Sequence, residues 1–83
     1  MENQKIKDFV GTNSYLELEE DEDNFILFGT RENETAYEEV GQEDLNECRR
    51  VGKLLVKNFP VSCKVSYVDE WAMLEVFPRG VGC

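Results

Sequence analysis

Six carboxylates fall within seven positions: Glu17, Glu19, Glu20, Asp21, Glu22 and Asp23. Side chains of this type can hold a metal ion, exchange protons, or present negative charge to a partner. Metal binding fits poorly. From Asp21 onward acids recur at alternate positions, as at the start of a calcium loop, and Glu32 supplies an acid at the twelfth. Yet Ile26 occupies the sixth, where such a loop needs a glycine for its sharp turn. Proton exchange needs a displaced pKa, and glutamates on the solvent side of a strand have nothing to desolvate them. Docking on a cationic surface remains, because clustered charge speeds such an encounter and sets its specificity.

The nucleophiles lead nowhere further. Ser14, Ser62 and Ser66 have no histidine to activate them, since the chain contains none. Cys48, Cys63 and Cys83 are odd in number and form no C-x-x-C pair for zinc or thiol exchange. Arg49 and Arg50 next to Cys48 would lower a thiol pKa, but Cys48 lies on an apolar helix stripe and reads as a buried core residue. The six glycines are scattered and form no phosphate loop. Asn33-Glu34-Thr35 matches a glycosylation sequon by chance, given no secretory signal. The expectation is no catalytic residue, no metal and no cofactor, with a small enzyme as the weakest alternative.

Charge sharpens the partner class. Nine basic against eighteen acidic residues leave the 83-residue chain at −9, which excludes direct electrostatic binding to nucleic acid. The imbalance is uneven: residues 1–47 hold fifteen acids and three bases, residues 48–83 three acids and six bases. Arg49, Arg50, Lys53 and Lys57 form a basic strip expected to answer the acidic half. A basic protein that handles nucleic acid is the partner such a chain predicts, its acidic residues standing in for phosphate.

The elements that position these groups follow from periodicity. Leu45, Cys48, Gly52, Leu55 and Phe59 recur at steps of three and four, one stripe of a helix that begins near Gln42 and that Pro60 ends. Tyr15–Glu19 alternates as a strand, with Leu16 and Leu18 opposite Glu17 and Glu19. Glu20–Asn24 reads as a hairpin turn and Phe25–Phe28 as the second strand. Ala36–Val40 is a third, short strand. Val61–Val68 and Trp71–Phe77 complete a β-β-(β)-α-β-β order. This is an α+β fold, a small antiparallel sheet with one helix on one face. Leu18, Leu45, Leu55, Phe59, Val65 and Leu74 should lie between the layers.

One helix leaves apolar surface over. Phe25–Phe28 is apolar on both sides, and Trp71, Met73 and Phe77 alternate with Ala72, Leu74 and Val76, unlike a sheet with one wet face. Three covers are open: the Met1–Val10 arm or short helix, a second copy of the chain meeting at Trp71, Met73 and Phe77, or another partner. The rest is one domain, 1–83, with residues 79–83 as a flexible tail. Met1–Lys7 is too polar for a signal peptide, no apolar run reaches membrane-span length, and the cytoplasm is the expected site. The function expected is a non-enzymatic acidic inhibitor or modulator of a basic partner. In composition only, it resembles the inhibitors that phages and mobile elements encode against host defences. The alternative is a homodimeric assembly module whose charge serves solubility.

Overall fold

A computed structural model describes residues 3–22, 24–30, 38–68 and 71–80. Six elements run in the order α1 (Asn3–Asn13), β1 (Glu17–Glu22), β2 (Phe25–Gly29), α2 (Glu38–Asn58), β3 (Val61–Val68) and β4 (Trp71–Pro78). The strands form one antiparallel sheet in the order β1-β2-β4-β3. α2 lies across β3 and β4, so the α+β fold follows the sequence pattern.

α2 exists because its stripe is apolar and the sheet receives it. Cys48, Val51 and Leu55 are fully buried, and Leu45 and Phe59 pack partly covered against them. Gly52 sits where the helix lies close against the sheet. A Cβ there would stand 3.3 Å from Leu74 Cδ1 and 3.5 Å from Cys63 Cβ, so a larger residue would push the layers apart. The helix ends at Asn58, just before Pro60. Phe59 N–H still donates to the Leu55 carbonyl at 2.8 Å.

Four expectations need correction. The helix begins at Glu38 and not near Gln42, so Glu38–Val40 is helix and not a third strand; Ala36 and Tyr37 lie outside the described residues. β1 runs from Glu17 to Glu22, so Glu20–Glu22 is strand and not turn. Five of its six side chains are exposed, and backbone pairing with β2 holds it without buried apolar residues. Leu18 stays 46% exposed; it pairs with Phe28 on the helix side, but at the sheet's edge.

The fourth concerns the N-terminal arm. It is a helix, and it covers the face that α2 already covers. Ile6 and Val10 are buried in the same core as Val51, Leu55 and Phe28. Phe9 meets Phe59 edge-on, ring centroids 5.5 Å apart at 84°. The opposite sheet face therefore receives no cover from α1. After β4, Arg79 and Gly80 form a turn tied back through Arg79 N–H to the Pro60 carbonyl at 3.0 Å. Residues 81–83, with Cys83, lie outside the described residues.

Candidate functional site

Strand pairing fixes which side chains share a sheet face, because alternate residues point opposite ways and paired residues point together. Ile26, Phe28, Ala72, Leu74 and Val76 face the helices and are buried. The other face carries Phe25, Leu27, Met73 and Phe77, each half-buried, and none belongs to the core cluster. The Phe25 and Phe77 rings lie 6.1 Å apart and tilted by 37°. Leu27, Glu75 and Lys64 form a row across three strands. Met73 and Phe77 thus share a face as their spacing predicts. Trp71 opens β4 opposite Val68; its side chain lies outside the described residues.

The acidic row lines the same face. Glu17 pairs with Gly29, Glu20 with Leu27 and Glu22 with Phe25. Unbroken alternation would have put Glu20 and Glu22 on the helix side with Leu18. A β-bulge between Leu18 and Glu20 shifts the phase by one residue. Glu19, the extra residue, lies over Gly29, its Cγ 3.0 Å from where a Cβ would stand, so a side chain there would crowd it. Four carboxylates therefore border the apolar stripe, an arrangement that sequence alternation alone conceals.

Asp21 is the exception within the cluster. It pairs with Ile26 on the helix side, and its carboxylate accepts Lys7 Nζ at 2.8 Å and Asn3 Nδ2 at 2.6 Å. Lys7 holds its carboxyl below the usual range, with help from Asn3. Asp21 is engaged by α1 and does not join the acidic row. Asp23 lies outside the described residues. Asp21 and Glu22 close β1 and Phe25–Gly29 is β2, so these residues are extended where a calcium loop would curl. No group of three or more acidic or cysteine side chains converges on a metal position among the described residues.

A second polar cluster ties α2 to the end of α1 and to the segment that joins α1 to β1. Glu47 accepts Ser14 Oγ at 2.6 Å and two bonds from Arg50, at 2.6 and 2.8 Å. Arg50 also donates to the Asn13 carbonyl, one of the unpaired acceptors at the end of α1. Tyr15 donates its hydroxyl to Asp44 at 2.8 Å. Asp44 is 2% exposed, a buried acid that the helical stripe gave no reason to expect. Burial and the bond to Asp44 raise the Tyr15 pKa. The cluster bridges elements, and Ser14 contacts a carboxylate with no third group to relay a proton.

The cysteines behave as core residues. Burial, aided by Asp44 and Glu47, pushes the Cys48 thiol up to about 12, opposite to the lowering its arginine neighbours suggest. Burial pushes Cys63 up to about 11. The basic strip answers the acidic half only in part: Arg50 pairs with Glu47, while Arg49, Lys53 and Lys57 meet no acid among the described residues. No helix among those residues is long and apolar enough to cross a membrane. Comparison with known proteins adds no relative: no family model, no curated protein and no solved structure matches the chain.

Proposed function

We propose that the protein is a non-enzymatic binding protein whose open sheet face docks on a basic partner, one that handles nucleic acid. One observation carries the reading: Phe25, Leu27, Met73 and Phe77 lie directly beside Glu17, Glu19, Glu20 and Glu22 on a face that neither helix covers. Apolar side chains supply the area whose burial drives association, about 25 cal/mol per Å². The carboxylates choose the sign of the partner and speed its approach. A nucleic-acid-handling protein owns cationic surface of the kind that phosphate occupies. Inhibition or modulation by occupying that surface, inside the cytoplasm, is the function this chemistry suits.

The rival reading is a homodimer through the same face. The uncovered stripe favours it, but two copies would bring five carboxylates each, Glu75 included, against one Lys64 each. Capture from lysate on immobilised wild type, on Glu17→Gln/Glu19→Gln/Glu20→Gln/Glu22→Gln and on Phe77→Ser separates them. The expected result is a basic nucleic-acid-binding protein held by wild type alone and displaced by a short DNA duplex. Retention by all three baits, or a light-scattering mass of two chains with no such capture, overturns the proposal.

A further inference from the structure

A second surface lies on the opposite side of the molecule, built from different residues. β3 ends the sheet, and among the described residues it pairs with β4 alone, so its outer edge has no neighbouring strand. Between that strand and α2 runs an open groove of about 410 Å³. Gly52, Val56, Cys63 and Val65 form its floor, and Arg49, Lys53 and Lys57 its rim. Val56 is 42% exposed, while Cys63 and Val65 are half-buried. The three cations recur every four residues along α2, about 6 Å apart, and all are exposed. They contact no acid among the described residues, which is unusual in a chain of net charge −9.

A free strand edge beside a helix, with an apolar floor between them, is the geometry in which an extended peptide adds as a further strand. We propose that this groove accepts an extended acidic peptide segment of a partner, paired to the outer edge of β3. Along such a strand, side chains on one face repeat every 6.8 Å or so, close to the spacing of the cations. An apolar side chain at the centre settles on Gly52, Val56, Cys63 and Val65. Acidic side chains two residues before and after it reach the cationic rim. Charge fixes the class of occupant. A basic segment would be repelled by three cations that meet no acid among the described residues, whereas a single-chain lipid anion brings one charge to a row of three. This surface shares no residue with the open sheet face, so either proposal can fail alone.

The test uses the full chain and a fluorescein-labelled peptide, Ser-Glu-Thr-Val-Thr-Glu-Ser, in anisotropy titrations. Three controls accompany it: a peptide with Lys for both Glu, a peptide N-methylated at both Thr amides, and the variant Arg49→Glu/Lys53→Glu/Lys57→Glu, its fold checked by circular dichroism. Each control should weaken binding at least tenfold, about 1.4 kcal/mol. Backbone amide shifts on adding the peptide should centre on Cys63–Val65 and on Gly52–Val56. No binding by wild type overturns the proposal. So does binding that survives N-methylation, which would remove strand addition. So do amide shifts confined to β1 and β2, or a single-stranded oligonucleotide that perturbs the groove while the peptide does not.

Discussion

Glu47 accepts three hydrogen bonds, two from Arg50 on its own helix and one from Ser14 in the segment between α1 and β1, and its carboxyl is held below the usual range by Arg50 first and Ser14 second. A carboxyl whose folded pKa is depressed contributes stability that is present above its unfolded value, about 4.3, and is lost as pH falls through the folded value. Glu47→Gln should therefore cost about 1 kcal/mol near neutrality, below the ~1.5 to 3 kcal/mol of a charged hydrogen bond because Arg50 is half exposed. The cost should vanish in acid, where wild type loses the same interaction. Urea melts across the acid range measure it, and a gap that is constant with pH would show that the carboxylate is not what Arg50 and Ser14 hold. Cys48 gives a second check at this scale. Fully buried and pushed up to about 12, it should resist iodoacetamide in the folded chain and react once urea unfolds it. Peptide mapping that finds native Cys48 alkylated as fast as a free thiol would remove it from the core. Its burial was legible in the helical spacing. Asp44, also buried and on the same helix, was not, because its partner Tyr15 comes from a segment twenty-nine positions away.

α2 and β3 were legible because each combines a clean period with a stop signal, and β2 and β4 because their apolar runs are bounded by Gly29 and Pro78. The stripe from Leu45 to Phe59 meets Pro60, and Val61–Val68 alternates without interruption. Two elements were less legible, for different reasons. α1 carries only Ile6, Phe9 and Val10 as apolar residues, too few to reveal which layer they join. Only the fold brings them onto Phe59 and Leu55, leaving the far sheet face without a helix among the described residues. β1 hid its length because Glu20–Glu22 lacks apolar residues, and hid its phase because a bulge leaves no mark in composition. The acidic candidates form one run in the sequence, but the bulge and Lys7 decide that Glu17, Glu19, Glu20 and Glu22 line the open face while Asp21 does not. If α1 is a true wall of the core, Ile6→Ala should destabilise the domain by about 2 to 5 kcal/mol, the same range as Leu55→Ala. Both side chains are fully buried in one cluster. Denaturant melts of the two variants test this, and a loss below about 0.5 kcal/mol for Ile6→Ala would reduce α1 to a peripheral strap.

At the scale of the molecule, the charge is arranged in two opposed regions. The β1 side of the sheet carries Glu17, Glu19, Glu20 and Glu22, and the outer side of α2 carries Arg49, Lys53 and Lys57. Like charges held this close repel, and in water each exposed pair costs up to about 1 kcal/mol before salt screens it. Removing some of the carboxylates should therefore stabilise the isolated chain. Glu17→Gln/Glu20→Gln/Glu22→Gln is expected to melt above wild type at low ionic strength, with the difference narrowing as salt is added. The three side chains are exposed on an edge strand, so no buried contact is lost with their charge. A variant that melts below wild type would mean that these carboxylates hold the fold, and the docking reading of the row would lose its physical basis. If the variant is instead more stable and at the same time fails to retain the basic partner, the row weakens the fold and serves binding. Natural chains carry such stability costs at functional sites. A solubility role alone predicts no loss of capture, because the remaining acids still leave the chain strongly negative.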